Sequence, residues 1–160
     1  MISFLFMGCP CGRFQDIEVY NNTKDSIFVY LAMNLKDSKD AIYPDTMLPI
    51  RDRFRIQDDT DLGKWPRGVF ALIPPFSKGF VNHVYGEDNL EHYLPYDTLS
   101  VFFINKNAME ELGYDSVRAS NVGIVRYDMS SSEIRNLGYV IPYPPQPYMS
   151  AKIYYGIDYK

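Results

Sequence analysis

Few residues in this 160-residue chain are of types that could carry chemistry. The two cysteines stand at Cys9 and Cys11 with one proline between them, and the two histidines are His83 and His92. Thiolates that close together supply two metal ligands at most, and no second Cys or His cluster follows to complete a tetrahedral site. A Cys9–Cys11 disulfide would close too small a loop to stabilise a fold appreciably. His92, beside Glu91 and Asp88 and downstream of His83, offers the makings of an acid–base pair, the starting point for a hydrolase reading. A hydrolase also needs a nucleophile, and no Gly-x-Ser-x-Gly turn is present. Asp58-Asp59-Thr60-Asp61-Leu62-Gly63 is the densest acidic stretch. Its glycine comes too early for a calcium loop and the distal Glu is missing, so a solvated loop is the simpler reading. There is no Gly-x-Gly-x-x-Gly and no P-loop. The sequence therefore assigns no catalytic residue, no metal and no cofactor.

Binding residues are easier to nominate. Trp65, the single tryptophan, sits with Arg67 in a loop flanked by Pro66 and Gly63. Such a ring can stack on a sugar, anchor a protein contact or cap the core beneath its loop. Arg51, Arg53 and Arg55 alternate with Ile50, Phe54 and Ile56, the pattern of an edge strand protected by charge. The 14 tyrosines and 10 phenylalanines suit half-buried strands and surfaces that bind sugars or proteins. The net charge of -4 argues against a nucleic-acid partner, which would need a clustered basic face. No stretch of 18 apolar residues is present to cross a membrane as a helix.

The first residues, MISFLFMGCPCGR, bear on location. Phe6-Met7-Gly8-Cys9 resembles a bacterial lipobox, in which a small residue precedes the cysteine that receives lipid. The apolar stretch Ile2–Met7 is shorter than a signal-peptide core and no basic residue precedes it. Residues 1–13 are thus expected to be a truncated lipoprotein signal remnant and tether, with Cys9 lipidated, and 14–160 a single β-rich domain. The competing reading is an ordinary first strand.

These residues must be positioned by mostly extended chain. Asp16–Met33 reads as a hairpin, with Ile17 and Val19 facing one way, a turn-rich Asn21–Asp25, and a second strand apolar on both faces, hence central. Extended segments follow at 42–49 and 50–56 and a buried strand at 68–73, which Pro74–Phe80 ends. The stretch 81–97 is ambiguous, with one helical turn around Asn89–Tyr93. Residues 98–105, TLSVFFIN, are the clearest strand. A helix from Asn107 to Leu112 stops at Gly113, with a further helical turn over 114–120. A strand at 122–129 leads to a short helix opened by a Ser130/Glu133 capping box, then a strand running into Pro-rich chain and a final strand at 152–159. The expected fold is mainly β, an antiparallel β-sandwich-like domain with two or three short helices in its C-terminal half. The late alternation of strand and helix makes α+β the alternative.

One resemblance adds to this. A strand over Asp97–Ile104, Arg-Tyr-Asp-Met-Ser at 126–130, a short helix and a strand ending Tyr139–Pro144 occur in this order. With the earlier stretch IEVYNNTKDSIFVYL, the whole resembles a group of small lipoproteins of Bacteroidetes with no assigned activity; where that group has Trp after the second helix, this chain has Tyr139. The resemblance implies a lipid-anchored protein of the bacterial cell envelope and transfers no site. It also draws attention to Asp-(Ser/Thr)-apolar triplets, which Bacteroidetes O-glycosylate, at Ser26, Thr46, Thr98 and Ser116. The same triplets also form ordinary turns into strands and helices. The expected function is a non-enzymatic envelope lipoprotein that binds or scaffolds an envelope protein or glycan and touches the membrane only through its anchor. The alternatives are a glycan-binding module and a hydrolase using His92.

Overall fold

The computed structural model describes residues 14–32, 71–85, 90, 94 and 96–160. The described chain is mainly β. Two sheets face each other, as expected of a sandwich, and helices cover part of the outer side of the larger one. The elements are β1 (Phe14–Asn21), β2 (Ile27–Ala32), β3 (Ala71–Ile73), β4 (Ser77–Tyr85), β5 (Leu99–Asn105), α1 (Lys106–Leu112), α2 (Tyr114–Ser120), β6 (Ile124–Met129), α3 (Ser131–Asn136), β7 (Val140–Tyr143) and β8 (Lys152–Tyr155). The larger sheet runs β3-β2-β5-β6-β8, and all its pairings are antiparallel. The smaller runs β4-β1-β7, with β7 parallel to β1.

β5 explains the layering. Alternate residues of a strand face opposite sides, and in LSVFFI both sets are buried. Leu99, Val101 and Phe103 join Ile17, Val19, Ile27, Val29, Tyr127 and Ile141 in the core between the sheets. Phe102 and Ile104 face the other way, into a second core with Phe28, Ile124, Ala108, Met109 and Val117, the last three from α1 and α2. Each fully buried Leu, Ile or Phe contributes about 1.5–3 kcal/mol, so a strand apolar on both faces can hold two layers at once.

The expected hairpin of β1 and β2 is not formed: the two strands lie in different sheets. Asn21 is the cause. Its side chain continues the inward face of Ile17 and Val19, is fully buried, and donates to the carbonyls of Asp25 (2.8 Å), Pro74 (3.0 Å) and Ile73 (3.3 Å). Its Oδ1 accepts from the Thr23 N–H and hydroxyl. This arch lets the chain step from one sheet to the other with its polar groups paired, so β1 instead takes β4 as its antiparallel neighbour.

Pro74–Phe80 does end the preceding strand, since β3 stops at Ile73, but it also opens the next, because β4 begins at Ser77. Gly79 there marks a close approach: a Cβ at this position would lie 2.3 Å from Ile73 Cδ1. The helix boundaries at Gly113 and Ser130 agree with the sequence reading, but the capping box is only half made. Ser130 Oγ accepts from the Glu133 N–H, whereas the Glu133 carboxylate turns to the amides of Ser150 and Ala151. The helix α3 ends through Gly138 and Tyr139, both at φ 62°, and Tyr139 N–H donates to the Ile134 carbonyl. A left-handed tyrosine costs energy that packing must offset; Tyr139 packs against the inter-sheet core. The expected strands at 42–49 and 50–56, with Arg51, Arg53 and Arg55, lie outside the described residues.

Tyr127 is fully buried in that core, its ring 4.5 Å from Phe103, and its hydroxyl has no hydrogen-bond partner among the described residues. Burial holds its phenol well above the ordinary tyrosine range, with Tyr143 and Tyr155 adding to the effect, and burial also raises Tyr143. Above about pH 10 the unfolded chain ionises tyrosines that the folded chain keeps neutral, so stability falls as pH rises through this window. Tyr127→Phe is expected to stabilise the protein by about 1 kcal/mol near neutrality, because an unpaired buried hydroxyl is removed. It is also expected to lose less stability between about pH 8 and pH 11 than the parent, read from urea midpoints at each pH.

Candidate functional site

The outer side of the large sheet is organised in rows set by strand register. Phe28, Ile104 and Ile124 form the row beneath α1 and α2. The next row, about 7 Å along the strands, is Tyr30, Phe102, Arg126 and Tyr154, each directly opposite the next on β2, β5, β6 and β8. The third is Ala32, Ser100, Asp128 and Lys152. The i, i+2 spacing of Arg126 and Asp128 thus puts a cation and a carboxylate side by side on one face.

Arg126 is 2% exposed, among the least expected residues to be buried unless paired. Its Nε donates to Asp128 Oδ1 at 2.7 Å and its Nη2 to Oδ2 at 2.5 Å, the two-pronged geometry that makes arginine–carboxylate pairs strong. Ser100, also fully buried, donates its hydroxyl to Asp128 Oδ1 at 2.6 Å. The guanidinium carbon lies 4.8 Å from the centre of the Tyr154 ring and 5.9 Å from that of Phe102, and Lys152 Nζ lies 4.9 Å from the same Tyr154 ring. Tyr30 stands 6.1 Å beyond Phe102, its phenol raised by burial and then by Tyr114. The result is an aromatic–cation ladder across four strands, bordered by an ion pair.

A serine nucleophile needs a base that will take its proton. Here the Asp128 carboxylate is already neutralised by Arg126, so the trio fixes side chains in place and does not activate Ser100. What it presents outward is a Tyr154 ring with Lys152 beside it at the sheet edge, an amphipathic surface suited to contact. Among the described residues no group of three His, Cys, Asp or Glu side chains is placed to hold a metal, and no helix is long and apolar enough to cross a membrane.

Cys9, Thr46, Trp65, Arg67 and His92, with Asp88 and Glu91, lie outside the described residues, and of His83 the structure gives only its place on β4. Ser26 precedes β2, where its carbonyl accepts from the Lys106 N–H; Thr98 precedes β5. They sit at opposite ends of β5, about 26 Å apart by strand rise. The Thr98 hydroxyl donates to the Tyr96 carbonyl, and the Asp97 carboxylate accepts from the Ser131 N–H, so this triplet serves as a turn and a helix-end contact. Ser116 is exposed on α2. Sequence reasoning did not single out Ser100, Arg126, Asp128 and Tyr154. The signal was there in Arg-Tyr-Asp, two charges flanking a core residue on an apolar strand.

Removing one member of a buried pair strands the other, at about 3–5 kcal/mol. Asp128→Ala is expected to destabilise the protein by that amount, and Ser100→Ala by about 1 kcal/mol. The double variant Arg126→Met/Asp128→Leu is expected to be more stable than either Asp128→Ala or Arg126→Ala, since it strands no charge. Thermal and urea unfolding of the four variants measure this.

Comparison of the chain with known protein families, with curated proteins and with solved structures finds no match.

Proposed function

We propose that the chain is a lipid-anchored module of a bacterial cell envelope that binds or scaffolds another envelope component without catalysing a reaction, with Cys9 as the anchor point. The observation that carries the binding part is the outer face of the small sheet. There Phe80 stands opposite Glu18, and Tyr20 opposite Lys78, across the β1–β4 pair. Tyr20 is 39% exposed and Phe80 45%, and Lys78 pairs with Glu18 at 2.6 Å between them. Exposed rings around a charged pair make a mosaic of the kind found at protein contacts. The described acidic side chains add support, because several are engaged structurally: Glu18 by Lys78, Glu110 by Lys106, Asp128 by Arg126 and Glu133 by backbone amides. The anchor rests on Phe6-Met7-Gly8-Cys9 and on the resemblance to Bacteroidetes lipoproteins.

A glycan is the alternative ligand, favoured by the same exposed rings, which can stack on sugars as well as on protein, together with Trp65 and Arg67.

Cells expressing the full-length gene and fed labelled palmitate are expected to label the wild-type protein and not Cys9→Ala; an unlabelled wild type removes the anchor from the proposal. Cross-linking in envelope fractions is expected to capture a partner whose yield drops about tenfold in Tyr20→Ala/Phe80→Ala, with melting temperature little changed. Partner capture unaffected by that variant would place the contact elsewhere. Glycan-array binding abolished by Trp65→Ala would favour the sugar-binding reading instead.

A further inference from the structure

β8 is attached differently from the rest of the large sheet. It is an edge strand of four residues paired with β6, and none of its side chains is fully buried. Lys152 and Tyr155 are exposed, while Ile153 and Tyr154 are half-buried. The connection that precedes it, 144–151, crosses from the small sheet to the large one and contains Pro144, Pro145 and Pro147, which have no N–H to donate. Within it, Met149 N–H donates to the Gln146 carbonyl, and Gln146 N–H to Met149 Sδ. It is tied to the body by Met149 and Ala151, which pack against the inter-sheet core, and by Glu133 on α3: Oε1 accepts from Ser150 N–H at 2.6 Å and from Ala151 N–H at 2.8 Å, and the residue is 8% exposed. Beyond β8, Gly156 N–H donates to the Ile124 carbonyl and Ile157 N–H to that of Asn121. The Glu133 carboxylate thus clasps the point where the connection becomes a partly buried strand.

We propose that β8, with the residues that follow it, is an exchangeable element clasped by Glu133, and that the β6 edge it leaves receives β8 of a second copy of this chain. The occupant follows from complementarity. Undocking bares the β6 edge and takes the Tyr154 ring away from the Arg126 guanidinium. An identical segment restores both in the same register, Val125 opposite Tyr155, Arg126 opposite Tyr154, Tyr127 opposite Ile153 and Asp128 opposite Lys152. Exchange of an identical element is a low-cost route to a dimer. Elements with little buried apolar surface are also those that open locally.

The test traps the strand. In the full chain carrying Cys9→Ala and Cys11→Ala, Val125→Cys and Tyr155→Cys place two thiols on facing residues, at a separation a disulfide spans. Monomer and dimer fractions from size exclusion of concentrated protein are oxidised, denatured and run on non-reducing gels. The expected result is an intrachain bridge in the monomer and an interchain bridge in the dimer. Glu133→Ala is expected to speed the conversion of isolated monomer into dimer about tenfold, because the two charge-assisted hydrogen bonds are broken in the opened form and remade with Glu133 of the second copy in the exchanged one. Glu133→Gln, which keeps an acceptor oxygen without its charge, is expected to fall between, and it decides the matter should Glu133→Ala fail to fold by near-UV circular dichroism. A dimer bridged only within chains overturns the proposal. So does protein that stays monomeric at every concentration in both the parent and the folded Glu133 variants.

Discussion

The structure depends on one strand having two apolar faces. β5 pairs with β2 on one side and β6 on the other, and every residue from Leu99 to Ile104 is buried. One face closes the core between the sheets; the other seats α1 and α2 and carries Phe102 into the aromatic–cation row. Two layers anchored on a single strand must keep the same register, because a slip of one residue would exchange Phe103 with Phe102 and put Ser100 into the inter-sheet core. The polar residue on this strand is accommodated because β6 offers Asp128 directly opposite it.

The same solution recurs where the chain changes direction. Asn21 at the β1–β2 arch, Asp128 beneath Arg126 and Glu133 beneath the β7–β8 connection are polar side chains at little or no exposure, each with at least one hydrogen-bond partner distant in sequence. Asn21 reaches carbonyls beside β3, and Glu133 reaches amides 17 and 18 residues ahead. Buried groups of this kind cost energy when left unpaired, so they specify which turn meets which strand more sharply than apolar contacts do. Tyr127 is the counter-example, a buried hydroxyl held through its ring, which packs at a tilt against Phe103 and Tyr143.

The strands from β5 onward and the helices α1, α2 and α3 were legible in the sequence, because their signals are local: alternation in 99–105, Gly113 after Leu112, Ser130 before α3. What was misread depends on distant contacts. Asn21–Asp25 has the composition of a hairpin turn, and only the carbonyls of Ile73 and Pro74 make it an arch. Gly79 looks like a strand breaker until Ile73 is packed against it. Glu133 fits a capping box until the Ser150 and Ala151 amides come within reach. The parallel β1–β7 pair carries no local signature at all. The Arg126–Asp128 pair was visible as a motif, but the rows that give it meaning come from register across four strands. The residues nominated for binding or lipidation, Cys9, Trp65 and Arg67, lie outside the described chain, so their expectations stand on sequence alone.

The make-up of the small sheet has a consequence for how the molecule assembles in time. Its three strands come from widely separated parts of the chain, and Glu18 meets Val140 across on the order of 120 residues. The large sheet can begin with β5 and β6, whose connection is short and helical, but β1 cannot complete its pairing until β7 has been made. A chain emerging from its N-terminus therefore carries the strand with Ile17 and Val19 unpaired until β4 is made, and with one edge open until β7 follows late in synthesis. Closing so long a loop late makes folding slow and leaves an apolar strand open to the wrong neighbour meanwhile. Glu18 and the other polar residues on the outward side of β1 help keep that strand soluble while it waits.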